Sequence, residues 1–235
     1  MRGMIYLNIS DSRPKRPNLF VRILLMASLI FMIELPPIVL VPLRHYQHLN
    51  HAAATYLGLY LVTFLLIIVF AAGIYHRVDQ RPHRSQRFGQ RLKWVFGGYV
   101  AIMGGSYILS MLNRMIYHQT QTANNANIAH LMHNNPLGTA ALAFSVVFLT
   151  PIAEELIFRG SAMNLFFKPS WVWAKVLFSC LIFGASHANS TPISFLIYAY
   201  LGAVLAIVYT FSGDIKNSML LHGLNNAIAL IPLLL

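Results

Sequence analysis

Acidic residues are scarce in this sequence. Its 235 residues include only six Asp and Glu against seventeen Lys and Arg, and 10% of all residues are charged while 57% are hydrophobic. A soluble domain usually has about 25% charged residues, so an ordinary soluble protein is excluded. The composition predicts an all-α polytopic transmembrane bundle. The acidic residues are Asp11, Glu34, Asp79, Glu154, Glu155 and Asp214.

Cysteine is nearly absent as well, since Cys180 is the only one. An intrachain disulfide is therefore excluded, and because Cys180 lies in an apolar run it is expected to be a small buried packing residue. The sequence also lacks a G-x-S-x-G nucleophile elbow and an H-E-x-x-H motif. Their absence argues against the usual soluble serine hydrolases and zinc proteases.

The excess of basic residues gives a formal net charge of +11, but its distribution does not favour nucleic-acid binding. Lys and Arg cluster in short segments between apolar runs, above all at residues 1–18 and 76–93. This pattern is expected where basic loops lie against anionic lipid headgroups. The lipid bilayer is the predicted partner, and nucleic acid is not.

Seven apolar runs predict a bundle of about seven membrane spans. If the N-terminus lies in the cytoplasm, nearly all Lys and Arg fall in inside segments or at the neighbouring span ends. The positive-inside rule then predicts a cytoplasmic N-terminus and an extracytoplasmic C-terminus in the cell membrane. The predicted spans are residues 19–43, 52–75, 94–117, 137–167, 171–189, 193–211 and 217–235.

Three segments of the N-terminal half depart from simple apolar runs. Glu34 and Pro36-Pro37 interrupt the first run, which predicts a kinked helix whose carboxylate faces other helices. Residues 118–136 are polar and rich in Asn, and they predict an extramembrane loop. Segment 44–51 holds three histidines at a spacing of three. Without Cys or carboxylate nearby, that segment is interpreted as an interfacial loop rather than a metal site.

The stretch 150–160 concentrates the charges of the fourth span. Carboxylates at membrane depth are costly and by default mark a functional site. On a helix, Glu155 and Arg159 are one turn apart and can pair, whereas Glu154 points about 100° away from Glu155. One carboxylate is then neutralised and the other is free to act. Pro151 is expected to kink the helix that carries them.

Two other predicted spans carry polar side chains. His187 lies near the outer part of the fifth span, and His222 and Asn226 lie one turn apart on one face of the seventh. Either histidine alone could be a hydrogen-bonded packing residue. Together with the paired glutamates they form a set that supports hydrolysis. A carboxylate can take a proton from water, histidines can orient that water or hold a metal, and an amide can donate to an oxyanion.

The order Glu-Glu-x-x-x-Arg, Phe-x-x-x-His and His-x-x-x-Asn, each in its own span, resembles the CPBP family of intramembrane proteases. That family includes the CAAX prenyl endopeptidases and bacterial proteins of bacteriocin processing and self-immunity. The resemblance covers about residues 142–231. It implies a catalytic core of four spans at 137–235, preceded by three spans and a basic cytoplasmic loop within 1–136.

The resemblance implies a role for each residue of the set. Glu154 would activate the attacking water, Glu155 would support it, and Arg159 would pair within the motif. The implied activity is hydrolysis of a peptide bond in a peptide or membrane-protein substrate. The implied catalytic residues are Glu154, Glu155, Arg159, His187, His222 and Asn226.

The same resemblance leaves the cofactor open. His187 and His222 would position water or a divalent metal such as zinc, and Asn226 would stabilise the oxyanion. A catalytic zinc normally has three protein ligands plus water, and two histidines fall short of that number.

A second function is compatible with the same family. A non-catalytic membrane immunity protein would bind a bacteriocin receptor or block a bacteriocin pore. Such a binder has no physical need for the complete polar set, which favours the protease.

The depth of His222 is inconsistent with the predicted spans. At 1.5 Å per residue, Glu154 and His187 lie roughly 20–25 Å from the inner face, but His222 lies only about 9 Å beyond Lys216. Either the loop at 212–217 dips into the bundle, or Lys216 snorkels to the interface, or the span boundaries differ.

Overall fold

The structure is a computed structural model that describes residues 16–79, 86–132 and 135–234. Within these ranges the chain forms helices and no strands, so the predicted all-α class is confirmed. The predicted basic segments lie partly outside the described residues, at 1–15 and 80–85.

Nine α-helices and one short 3₁₀ turn make up the described part of the chain. The 3₁₀ turn Val41–His45 follows α2, and α6 is a composite helix with internal changes of hydrogen bonding. The helices are α1 (Leu19–Ile33), α2 (Leu35–Leu40), α3 (His51–Val78), α4 (Phe88–Tyr117), α5 (Ala123–Met132), α6 (Pro136–Phe166), α7 (Val172–Ala185), α8 (Pro192–Ser212) and α9 (Ile215–Leu234).

Five helical segments are long and apolar enough to cross a membrane, and the protein is a multi-pass membrane protein. They are α3, α4, α6, α8 and the continuous segment Leu19–His45 that contains α1 and α2. Helix α7 is apolar but has only 14 residues, which is about 21 Å of helix against a hydrocarbon core of about 30 Å. The predicted number of seven spans is therefore approximate.

The first span is interrupted where the sequence predicts a kink. Helix α1 ends at Ile33 and α2 begins at Leu35, with Glu34 between them. Pro36 and Pro37 follow in the first turn of α2, where the missing proline N–H groups are tolerated. Pro36 is buried and Glu34 is exposed.

The predicted loop at 118–136 is not irregular throughout, because residues 123–132 form α5. Thr122 begins this helix, since its backbone carbonyl accepts from Ala126. The Thr122 hydroxyl is buried and makes a 2.6 Å hydrogen bond with the hydroxyl of Tyr198 in α8. Composition alone suggested a loop, whereas this contact with the bundle supports a short helix.

Helix α8 lies at the centre of the bundle and packs closely on α4 and α7. A Cβ atom at Gly105 of α4 would lie 2.2 Å from Cζ of Tyr200, so a larger residue there would require the Tyr200 ring to move. The Tyr200 hydroxyl donates to the carbonyl of Ala101 at 2.8 Å. Helix α8 also contacts α6, through the hydrogen bond of Arg159 to Gly202, and α9. Helices α6 and α9 carry five of the six predicted site residues.

Candidate active site

Helix α6 carries both glutamates and is not a regular α-helix. Two π-helical stretches, Ser145–Leu149 and Glu155–Ala162, flank the α-helical turn Thr150–Glu154. Such π-turns are rare and occur frequently at functional sites. The sequence predicts an irregularity at Pro151, and the first π-turn ends just before this proline.

Pro151 leaves carbonyls of α6 without their helical hydrogen-bond donors, and helix α9 packs against these carbonyls. Thr150 N–H donates to the carbonyl of Ser145, five residues back, and Pro151 has no N–H to continue this pattern to Val146. The side-chain amide of Asn226 in α9 donates to Val146 at 3.0 Å instead. Helix α9 approaches closely here, because a Cβ at Gly223 would lie 2.8 Å from the carbonyl oxygen of Val147.

The predicted ion pair between Glu155 and Arg159 is present. Arg159 Nη1 lies 2.8 Å from Glu155 Oε1, and both side chains are completely buried. Arg159 Nη2 also donates to the carbonyl of Gly202 at 3.0 Å, and its guanidinium lies 4.4 Å from the ring centre of Phe183. A buried charge requires such pairing and hydrogen bonding, so the arginine is held in a fixed position.

His222 lies between the two glutamates. Its Nδ1 is 3.0 Å from Glu155 Oε1, and its Nε2 is 3.7 Å from Glu154 Oε2. A carboxylate can only accept, so Nδ1 is the donor to Glu155, and in the neutral ring Nε2 carries the lone pair. Arg159, Glu155 and His222 therefore form one hydrogen-bonded polar chain, and Glu154 lies beside its end.

Glu154 and Glu155 each have a buried Oε2 without a hydrogen bond from a described residue, but only Glu154 lines the cavity described below. The distance of 3.7 Å from Glu154 Oε2 to His222 Nε2 is beyond a hydrogen bond. Glu154 Oε2 and the lone pair of His222 Nε2 are therefore two neighbouring acceptors without a hydrogen-bond donor among the described residues.

The start of α9 shows how His222 comes into contact with the glutamates. Helix α9 begins at Ile215, which is buried, and Asn217 is fully buried while Lys216 is exposed. Gln86 accepts from Asn217 at 2.8 Å. The turn that precedes α9 thus lies partly inside the bundle, as one of the three alternatives supposed, and His222 reaches the glutamates.

His187 is not inside a helix, in contrast to the predicted span 171–189. Helix α7 ends at Ala185, and His187 follows in the connection to α8. Its Nδ1 lies 2.7 Å from the carbonyl of Phe183, one of the carbonyls that a helix end leaves without a partner. Because a carbonyl only accepts, Nδ1 is the donor and Nε2 carries the lone pair of the neutral ring.

Tyr198 is a site residue that the sequence reasoning missed. Its ring stacks on His187 with a centroid distance of 4.3 Å and an angle of 14°. Its hydroxyl contacts Thr122, as described above. The available signal was a tyrosine in an apolar span, since a buried tyrosine hydroxyl usually has a hydrogen-bond partner.

A cavity of about 220 Å³ connects these groups. By this measure a cavity needs roughly 10–15 Å³ to hold one water, so this one has room for water beside part of a substrate. Helices α1, α2, α3, α5, α6, α8 and α9 contribute to its wall. The polar side chains on it include those of Glu34, Asn124, Asn125, Glu154, His187, Tyr198, His222, Asn225 and Asn226.

The six predicted site residues thus form two groups according to their location. Glu154, His187, His222 and Asn226 line the cavity, whereas Glu155 and Arg159 lie buried behind it. One amide N–H of Asn226 is occupied by Val146 rather than directed to the cavity. Its other N–H is the one that an oxyanion could use.

The donor set does not fit a catalytic zinc. In the part of the chain that the structure describes, no group of three or more His, Cys, Asp and Glu side chains has the arrangement of a metal site. Glu155 is engaged by Arg159 and His222, and Nδ1 of His187 contacts a backbone carbonyl. A zinc ion would require three convergent ligands plus water.

Comparison with known proteins confirms the predicted resemblance for the C-terminal part of the chain. Residues 136–228 match the family model described as "Type II CAAX prenyl endopeptidase Rce1-like". The UPF0177 protein YvdC of Lactococcus lactis subsp. lactis (strain IL1403) is 24% identical over 203 residues, which cover 86% of this chain and 75% of that protein. No solved structure matches the chain. The matched region includes all six predicted site residues.

Proposed function

We propose that this protein is an intramembrane endopeptidase in which Glu154 activates water for attack on a peptide bond. The family match supports a CAAX-protease-like membrane peptidase in general terms. The observation that carries the proposal is the buried chain Arg159–Glu155–His222, which ends beside Glu154 on the wall of a cavity between membrane-spanning helices.

In the proposed mechanism Glu154 and His222 hold one water between them. Glu154 Oε2 accepts a proton from this water, and the lone pair of His222 Nε2 accepts a hydrogen bond from its other hydrogen. The water oxygen attacks the scissile carbonyl carbon. Collapse of the tetrahedral intermediate breaks the C–N bond, and the leaving nitrogen takes the proton from Glu154.

Glu155 and Arg159 position the histidine in this proposal. Glu155 accepts from His222 Nδ1, which fixes the tautomer that presents a lone pair at Nε2, as the carboxylate does in a catalytic triad. Arg159 keeps Glu155 ionised in a buried environment. The second N–H of Asn226 is the proposed donor to the oxyanion, and His187 Nε2 is a further acceptor for water or a substrate N–H.

No metal takes part in the proposed steps, because the donor set favours proton transfer between carboxylate and imidazole. The substrate is proposed to be a peptide or membrane protein whose cleavage site enters the cavity. We also propose a cytoplasmic N-terminus, on the strength of the Lys and Arg distribution.

The direct test uses purified protein in liposomes, a mixture of hydrophobic peptides and mass spectrometry of new peptide ends. Glu154→Ala, His187→Ala and His222→Ala should each abolish or strongly reduce cleavage, by about 10²–10⁴-fold for a residue in proton transfer. Asp214→Asn is the control, because that carboxylate lies outside the cavity.

A cellular assay addresses the biological role that the family suggests, in bacteriocin immunity or peptide processing. The same three variants are expressed in a bacteriocin-sensitive host, and their membrane levels are measured alongside resistance. Loss of cleavage together with resistance at normal levels supports immunity by proteolysis. If variants that no longer cleave peptides keep full resistance, the protein acts as a non-catalytic immunity protein. This result would contradict the proposal that immunity depends on proteolysis.

A further inference from the structure

Glu34 is a carboxylate on the cavity wall that the proposed chemistry does not use. It lies in the interruption between α1 and α2, and its side chain lines the same cavity as Glu154 and His222. None of the ion pairs among the described residues involves it. A carboxylate in a membrane span normally faces a partner or a water-filled cavity, so Glu34 has a place for a ligand beside it.

The backbone around Glu34 adds a further acceptor. Pro37 has no N–H, so the carbonyl of Ile33, four residues before it, loses its usual helical donor. The carbonyl of Met32 accepts from the backbone N–H of Glu34. Ile33, Pro36 and Pro37 all line the cavity. This part of the wall therefore combines a carboxylate with the backbone carbonyl of Ile33, which lacks its usual helical donor.

The cavity contains no compensating cation among the described residues. No Lys or Arg side chain lines it. Arg159 is buried behind the wall and donates hydrogen bonds to the carboxylate of Glu155 and the carbonyl of Gly202. Two carboxylates, Glu34 and Glu154, thus face a cavity whose only groups able to become positive are His187 and His222.

We propose that Glu34 and the α1–α2 interruption form a subsite for a cationic group of the substrate, an alkylammonium or guanidinium. Such a group offers several N–H donors to the carboxylate of Glu34 and to the carbonyl of Ile33, which Pro37 leaves without its helical donor. The subsite would select peptides with a basic group near the scissile bond. This inference rests on the proposed peptidase function, because it assigns specificity to the same cavity.

Binding can be measured without turnover in the Glu154→Gln protein reconstituted in nanodiscs. The probes are fluorescent, N-acetylated hydrophobic peptides in which one lysine is moved through each position, each paired with a peptide carrying norleucine there. For at least one position, the lysine peptide should bind at least about tenfold more tightly than its norleucine partner. Adding Glu34→Gln should bring the ratio of the two dissociation constants close to one.

A second pair of probes separates the two sources of a cation. A norleucine peptide with a free N-terminus is compared with its acetylated form. If Glu34→Gln changes the ratio of dissociation constants only for this pair, the ligand is an amino terminus. If it changes the ratio only for the lysine pairs, the ligand is a basic side chain.

The outcomes distinguish this inference from the proposed function. If neither a lysine nor a free amine improves binding, or if Glu34→Gln leaves the ratios unchanged, the cation subsite is wrong even when the wild-type protein cleaves peptides. If the ratios change as expected but the wild-type protein cleaves none of these peptides, the subsite stands and the peptidase assignment is contradicted.

Discussion

Two ion pairs in this protein have the same length but different surroundings. Arg159 and Glu155 lie 2.8 Å apart with both side chains at 0% exposure, and Arg91 and Asp214 also lie 2.8 Å apart, with exposures of 25% and 16%. The first pair continues through His222 to the cavity. The second joins the start of α4 to the turn before α9.

The difference shows that distance alone does not determine what an ion pair contributes. Near water, an ion pair gains little because both charges are also well solvated and salt screens them. In the interior, removing one partner leaves a charge without compensation. The buried pair should therefore be indispensable as a unit, and the outer pair should be replaceable.

The largest effect is expected from Arg159→Ala. This change leaves Glu155 as a buried carboxylate without its cationic partner, which should cost about 3–5 kcal/mol of unfolding free energy. SDS-induced unfolding in bicelles measures the loss, and Arg91→Ala is the matched control. A double variant, Glu155→Leu with Arg159→Met, should recover much of the stability while remaining inactive. Equal losses for Arg159→Ala and Arg91→Ala would contradict the comparison.

The next effect concerns Asn226 and the carbonyl of Val146. Asn226→Ala leaves this carbonyl without its donor and should cost about 1–3 kcal/mol. In a Pro151→Ala background the new backbone N–H can supply a helical hydrogen bond, so the same change should cost less. A double-mutant cycle on unfolding free energies measures this coupling. Additive effects would show that Asn226 has another structural role.

A smaller effect is expected from Tyr198→Phe. The variant keeps the ring that stacks on His187 but loses the hydroxyl contact with Thr122, which should cost about 1 kcal/mol. Ser190→Ala, which removes an exposed hydrogen bond to Gln119, is the control. Amide hydrogen exchange in α5 should increase in the Tyr198 variant and not in the control. Unchanged exchange would mean that Tyr198 does not hold α5.

The smallest effect belongs to the outer pair. Asp214→Asn should lower the unfolding free energy by about 0–1 kcal/mol at low salt, and the difference should shrink as the ionic strength rises. Unfolding at two salt concentrations provides the measurement. A salt-independent loss of several kcal/mol would place this pair in the same class as the buried one.

The sequence predicted the features that depend on local spacing. The Glu155–Arg159 pair follows from helical periodicity, and the interruption at Glu34 follows from the two prolines. The all-α class follows from the composition. Each of these depends on residues that are close in the chain, so one sequence was sufficient to predict them.

The sequence did not predict features that depend on contacts between distant segments. His187 lies beyond the end of α7 because its ring and nearby side chains satisfy the last carbonyls of that helix. His222 reaches the glutamates because the turn before α9 is buried against residue 86. Tyr198 joins the site through a partner 76 residues away. The division at residue 136 into an N-terminal unit and a catalytic core stays a prediction.

The central claim is that adjacent glutamates have different tasks, and Glu154→Gln and Glu155→Gln test it side by side. Each protein is purified in the same detergent, and its thermal unfolding midpoint and peptide cleavage are measured. Glu154→Gln should keep the wild-type midpoint and lose cleavage. Glu155→Gln should have a lower midpoint and should also lose cleavage, because Arg159 and His222 then lack their carboxylate. Equal midpoints for the two variants, or wild-type cleavage by Glu154→Gln, would contradict this division of tasks.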